Sequence, residues 1–138
     1  MYKLCVFAGT SEGRELVSWL SQQEQVQVTA CAATEYGGEL LEEIPGVTVS
    51  ARRLDEEQME ALFRSEGFSY VVDATHPYAP IVTDNIRAAC QKTATPYLRL
   101  LRDGGLPENC VFVASTQEAV QWLSRTEGTV FLTVGSKE

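Results

Sequence analysis

The chain has 138 residues, enough for one compact domain and too few for a second with its own core. Its 44% hydrophobic and 22% charged residues form an ordinary globular balance, which excludes disorder, a collagen-like repeat and a coiled coil. Eleven basic residues against 19 acidic ones leave a net charge of −8, so the chain as a whole repels nucleic acid and anionic membrane, and a polyanion would need a local patch.

Apolar segments of strand length alternate with segments of helical period. Leu4 to Ala8 reads as a buried strand, followed by a helix from about Glu12 to Gln23 with Leu16, Val17 and Leu20 on one face. A second strand spans Val26 to Ala33. A short helix around Gly38 to Glu43 leads through the Pro45-Gly46 turn to a third strand at Val47 to Ser50. Asp55 is an N-cap for a helix that turns Met59, Leu62 and Phe63 inward and breaks at Gly67. The fourth strand is Tyr70 to Asp73, the next helix Ile81 to Lys92, and the fifth strand Tyr97 to Leu100. Asp103 to Pro107 marks a loop, Val111 to Val113 a small extra strand, Thr116 to Ser124 a helix and Val130 to Val134 a last strand. There is no internal repeat or low-complexity tract.

Continuous apolar strands separated by helices imply a parallel sheet covered on both faces. The expected architecture is therefore α/β: a Rossmann-like, doubly wound parallel sheet of about five to six strands in a single three-layer α/β/α domain spanning residues 1–138. Ligands of such sheets bind beyond the carboxyl ends of the strands. That rim collects the loops Ala8 to Gly13, Thr34 to Gly38, Ser50 to Leu54, Asp73 to Pro80, Leu101 to Asp103 and Gly135 to Lys137. Charge is uneven along the chain. Glu35 to Glu66 holds nine acids against three arginines, net −6, while Val71 to Pro107 holds four bases against three acids, net +1, and would receive an anion better. The four cysteines lack any CxxC spacing and are expected to be reduced. The run Leu4 to Ala8 is too short for a signal sequence, and no stretch approaches the roughly 18 apolar residues of a membrane span, so a cytoplasmic location is expected.

Ala8-Gly9-Thr10-Ser11-Glu12-Gly13 delivers a helix N-terminus to the rim. Gly9 permits close approach of an oxygen, Thr10 and Ser11 offer donors, and the helix dipole favours negative charge, so the elbow suits a phosphate. It departs from GxGxxG, since Gly9 and Gly13 are four apart with Ser11 between them. The alternative is a well-capped helix with no nucleotide. After the second strand, Ala33-Thr34-Glu35 places an acid further along than a ribose-binding carboxylate stands, and Arg52-Arg53 emerge on the same rim. This favours NADP(H), with NAD(H) as the alternative cofactor, unless the two arginines only counter Asp55 to Glu57.

Asp73-Ala74-Thr75-His76-Pro77-Tyr78-Ala79 places the sole histidine at a central strand end, where proline holds it extended. His76 is a candidate catalytic general acid or a liner of the nicotinamide or substrate pocket, against a plain capping or packing role. No metal site is expected, because no second histidine or cysteine stands at ligand spacing. Asp73 is read as a cap for neighbouring amides. Ser11, Thr75 and Cys90 have no recognisable base, so covalent catalysis has no support. Arg99 and Arg102 could present guanidinium groups to carboxylates, one of them reaching only solvent by strand alternation.

AGTSEGREL, ATEYGGELL, VDATHPYA, IRAAC and PYLRLLR, in this succession along almost the whole chain, resemble the precorrin-6A reductase family of cobalamin biosynthesis. The most specific part is DATHPYA followed by NIRAAC and YLRLLR; Ala8 stands where the family more often has glycine. The resemblance implies NADPH- or NADH-dependent reduction of one double bond of precorrin-6A or its cobalt form. It implies a cofactor site of Gly9, Thr10, Ser11, Glu12, Thr34, Arg53, Ala74 and Thr75. It further implies a substrate site of His76, Pro77, Tyr78, Arg99 and Arg102, with Arg87 as a further carboxylate partner, and hydride chemistry supplied by the cofactor. Members usually carry a second α/β domain, so the chain is expected to stop before one, to bind nucleotide weakly or not at all alone, and to show no turnover alone. Nucleic acid and membrane are not expected partners. Two other classes predict different binding: a redox-sensing NAD(P)-binding regulatory module, without tetrapyrrole affinity, and a ligand-free α/β interaction domain.

Overall fold

The computed structural model describes residues 1–102 and 110–133. The chain divides into two units, Met1–Asp103 and Gly104–Glu138. The first unit alternates β1 (Tyr2–Phe7), α1 (Ser11–Leu20), β2 (Val26–Cys31), α2 (Glu35–Glu42), β3 (Val47–Ser50), α3 (Glu56–Glu66), β4 (Tyr70–Asp73), α4 (Pro80–Thr93) and β5 (Tyr97–Arg99). The second unit contains α5 (Thr116–Leu123).

Local chemistry accounts for the boundaries. The Thr10 hydroxyl accepts from the Gly13 amide and starts α1. Thr34 does the same for Gly37, which begins α2 at Glu35, three residues earlier than periodicity alone suggests. Asp55 and Gln58 form a reciprocal capping box at the head of α3, whose first turn carries Glu56 and Glu57 and whose last carries Arg64. Gly67 closes that helix with φ of 62°, a left-handed conformation that glycine adopts without steric cost.

The sheet is parallel throughout, in the order β3-β2-β1-β4-β5. Alternation along the strands separates two cores. Cys5, Phe7, Cys31 and Val71 meet Met59 and Phe63 of α3 and Ile86, Ala89 and Cys90 of α4 on one face. Val6, Ala8, Val28 and Ala30 meet Val17 and Leu20 of α1 and Leu41 of α2 on the other. Helices therefore cover both faces in three layers, and each fully buried large side chain, such as Phe63, Leu41 or Met59, contributes about 1.5–3 kcal/mol. All four cysteines are free; three are buried. No helix among the described residues is long and apolar enough to cross a membrane.

Two expected strands do not form. Val111–Val113 and residues 130–133 are irregular, with Phe131 and Leu132 exposed. An apolar segment becomes a strand only when its amides and carbonyls find a neighbouring ladder, and among the described residues the sheet ends at β5. The expected loop at Asp103 to Pro107, Val134 of the last expected strand, and the rim residues Asp103 and Gly135 to Lys137 lie outside the described residues.

Chain order reverses between β1 and β4, because β1 feeds β2 and β3 on one side while β4 and β5 continue on the other. This opens a crevice at their carboxyl ends. Gly13 lets α1 approach that point: a Cβ there would lie 2.9 Å from Ala8 Cα and 3.0 Å from Ala74 Cβ. Helix propensity favours alanine by about 1 kcal/mol, but backbone cannot yield as a side chain would, and overpacking costs about 1–3 kcal/mol. Gly13→Ala is therefore expected to lower the urea midpoint, and Gly13→Val to lower it further; an alanine variant more stable than wild type would show that α1 is not held this close.

Candidate functional site

Two clefts open along this edge. One, of about 260 Å³, is walled by Phe7, Ala32 and Ala33 of the sheet side, Arg52, Arg53 and Leu54 after β3, and Ile81, Val82 and Asn85 of α4. The other, of about 490 Å³, runs from the elbow Gly9 to Glu12 and Arg14 to Pro77, Leu100, Leu101 and Arg102. Gly9, Thr75 and His76 belong to both walls. The clefts thus meet at a ridge where the β1 and β4 loops touch, with the position of a Cβ on Gly9 only 3.4 Å from Thr75 Cα.

The elbow is braced from below. Thr10 Oγ1 donates to the Ala74 carbonyl at 2.8 Å while accepting from the Gly13 amide. Among the described residues the amides of Gly9, Thr10 and Ser11 donate to no backbone or side-chain acceptor, which leaves them free for an anion at the positive end of α1. Glu12 pairs with Arg102 at 2.5 Å. A bond from its own backbone amide, then the bond from Arg102, holds the Glu12 carboxyl below its ordinary value.

The β4 loop hangs from Asp73, whose side chain is fully buried. Its Oδ1 accepts from the Thr75 amide at 3.0 Å, Thr75 Oγ1 at 2.6 Å and Arg99 Nη1 at 2.9 Å, and its Oδ2 from Thr83 at 2.8 Å and Tyr97 at 2.9 Å. Burial pushes this carboxyl up, and the bonds from Thr75, Thr83 and Tyr97 outweigh it and hold it below the ordinary aspartate value. Arg99 Nη1 also bonds the Asp73 and Thr75 carbonyls, at 3.0 and 2.9 Å. Past Thr75 the chain makes a tight turn, Ala79 N–H to the His76 carbonyl, with Pro77 at its second position. His76 Nδ1 accepts from the Tyr78 amide at 3.1 Å, so Nε2–H is the ring donor left for a ligand.

The two clefts gather Gly9, Thr10, Ser11, Glu12, Arg53, Thr75, His76, Pro77 and Arg102 of the residues expected from sequence. Thr34, Ala74, Tyr78 and Arg99 line neither. Thr34 caps α2, Ala74 is buried beneath the elbow, Tyr78 is exposed with its ring 5.3 Å from that of His76, and Arg99 turns inward to Asp73. Arg87 lies over the Tyr97 ring at 5.3 Å. Asp73 does cap an amide, and its larger task is to gather five donors. Burial, followed by the charge of Asp73, pushes the Cys90 thiol up to about 11, which keeps it protonated at neutral pH. Among the described residues no group of three or more histidine, cysteine and acidic side chains could hold a metal.

Sequence reasoning missed the α4 contribution. Ile81, Val82 and Asn85 stand at one- and four-residue spacing just after Pro80, which fixes the helix start, and this pattern was the signal that could have placed them on one face. It also left the role of Arg52 and Arg53 open. Among the described residues neither arginine pairs with an acid; Asp55 caps α3, and Glu56 pairs with Lys92.

Because the carboxylate form of Asp73 is favoured by the fold, the unfolded chain binds its proton first. Stability from this group is fully present above the unfolded value near pH 4 and is lost as pH falls through the folded value. Asp73→Asn leaves Arg99 without its anion and is expected to cost about 3–5 kcal/mol at neutral pH while flattening the acid limb of a stability-against-pH curve measured by denaturant unfolding. An unchanged acid limb would show that other carboxylates set it.

Comparison with known proteins follows the same lines. The model of the family described as precorrin-6x reductase CbiJ/CobK matches residues 3–138. The chain is 36% identical over 114 residues to a cobalt-precorrin-6A reductase of Methanothermobacter thermautotrophicus, covering 83% of this chain and 38% of that protein. It is 31% identical over 136 residues to the cobalt-precorrin-6A reductase of Priestia megaterium, covering 97% of this chain and 52% of the other. The chain therefore spans about half the length of such relatives, or less. Among solved structures, CobK precorrin-6A reductase superposes with a TM-score of 0.65 at 24% identity, over 79% of this chain and 41% of that one, a likeness of fold. With the family match running over nearly every residue that builds the two clefts, the chain belongs to the precorrin-6x reductase CbiJ/CobK family.

Proposed function

We propose that this chain is the dinucleotide-binding part of an enzyme that reduces one double bond of precorrin-6A or its cobalt form, with NADP(H) preferred over NAD(H). The observation that carries this reading is the pair of clefts that share Gly9, Thr75 and His76: one apolar and rimmed by two arginines, the other lined by free amides. An extended ligand with an aromatic end, a central diphosphate and a second ring fits that sequence of surfaces. A reduced nicotinamide, when bound, supplies the hydride.

The remaining work belongs to the chain's residues. The amides of Gly9, Thr10 and Ser11 hold the diphosphate at the α1 N-terminus. Ser11 and Glu12 lie on the same wall, where Glu12 keeps Arg102 in place. Arg52 and Arg53, exposed and among the described residues unpaired with acids, receive a 2′-phosphate at the mouth of the apolar cleft. Thr34 and Ala74 act at one remove, the first by starting α2 beside the cleft wall and the second by anchoring Thr10. Thr75, His76 and Pro77 form the ridge over which the reacting rings meet, with Tyr78 against the imidazole and Nε2–H of His76 able to bond a carboxylate. Arg102 meets substrate carboxylates from the far wall; Arg99 acts through Asp73 and Thr75. Fixing the reactants in this order is the protein's contribution to rate. The remainder of the enzyme, a second α/β domain, completes the macrocycle site.

Binding to the full-length enzyme that contains this chain, measured by calorimetry, tests the cofactor preference. Losing charge-assisted bonds of roughly 1.5–3 kcal/mol predicts that Arg53→Ala weakens NADPH by about tenfold or more and leaves NADH unchanged. Equal losses for the two cofactors would place Arg53 outside the 2′-phosphate site.

A further inference from the structure

The apolar cleft contains one polar group without a task. Its side-chain walls are apolar, apart from the arginines at its mouth, His76 on the ridge beside the Gly9 amide, the Cys31 thiol, which pairs with Cys5, and Thr75, whose hydroxyl is committed to Asp73. Asn85 lines this cleft from α4. It is half-buried, and among the described residues its side-chain amide makes no hydrogen bond. Ile81 and Val82 stand beside it on the first turn of the same helix, and Leu54 faces them from the loop after β3. The arrangement is a slot with apolar sides and one donor–acceptor pair in its wall. An amide of this kind matches an edge that itself presents a donor next to an acceptor, which adenine does with its N6 amine and N7. A hypoxanthine ring of the same size presents two acceptors there and would set its O6 against the Asn85 carbonyl.

We propose that Asn85 reads the base of the bound nucleotide and selects adenine, its carbonyl accepting from the N6 amine and its NH₂ donating to N7. This rests on the dinucleotide reading and deepens it. The arginines at the mouth discriminate at the ribose phosphate; Asn85 discriminates at the base, and the two selections are separable because they lie on different elements, the β3–α3 loop and α4.

Equilibrium binding of NADPH and of its deamino, hypoxanthine-containing analogue to the full-length enzyme that contains this chain tests this without turnover. Wild type is expected to bind NADPH about tenfold or more tightly than the analogue, as a bidentate base contact does against the wrong base. Asn85→Leu, which fills the slot with carbon, is expected to weaken NADPH to the level of the analogue and leave the analogue nearly unchanged. Equal wild-type affinities overturn the assignment while leaving the dinucleotide site standing, and that comparison needs no variant to fold. A preference retained in Asn85→Leu overturns it as well. Failure of wild type to bind either compound overturns the dinucleotide reading, and the role of Asn85 with it.

Discussion

A carboxylate removed from water stands at the carboxyl end of β4, and the rim is built around it. An isolated buried charge costs several kcal/mol even after relaxation, so Asp73 persists only because Thr75, Thr83, Tyr97 and Arg99 all donate to it. These donors come from the β4 loop, α4 and β5, so one negative charge ties three elements together at the point where chain order reverses. Arg99 extends the tie to the Thr75 carbonyl. The loop held in this way is the one that meets Gly9, and the ridge between the two clefts takes its position from it. Among the described residues no buried side-chain polar atom is left without a partner, which is the condition under which such a network orders a structure instead of weakening it.

Much of this was legible in the sequence, for reasons that can be named. β3 and β4 were read with the bounds they have, because a short apolar run between a turn and a helix cap allows little else. Asp55 and Gly67 mark their helix by local chemistry that needs no tertiary context. Gly13 illustrates a partial success: the missing middle glycine of the dinucleotide fingerprint, where Ser11 stands, obscured the fact that Gly13 serves close packing of α1 on the sheet. The direction of Arg99 was not legible, because strand alternation gives a face and not a partner, and the partner is a buried aspartate on the neighbouring strand. Asn85 was invisible for a related reason, since its helix had first to be packed against α3 and β4 before the residue had a cleft to face. The segments at Val111–Val113 and residues 130–133 show the limit from the other side: apolar, β-branched residues state a preference that only pairing converts into a strand.

A chain of net charge −8 that receives an anionic ligand looks contradictory only if charge is averaged. The acids concentrate on α2 and α3 and the segments beside them, and several are already engaged: Glu56 and Glu60 with Lys92, Glu60 with Arg64, Glu66 with Lys3. The rim instead presents the start of α1, Arg52 and Arg53, and Arg102 balanced by Glu12. Local amides and guanidinium groups act over a few ångströms, whereas distant surface acids are screened beyond about 8–10 Å in salt. Recognition therefore follows the rim and not the total.

The central claim is that one dinucleotide crosses the ridge of Gly9, Thr75 and His76. Titration with NADPH of the isotope-labelled full-length enzyme that contains this chain, followed through backbone amide resonances, tests it most directly. The account predicts that the amides of Gly9, Thr10 and Ser11 shift together with those of Thr75 and His76, at one common affinity. Saturable shifts confined to other parts of the chain, with these amides unmoved, would contradict it.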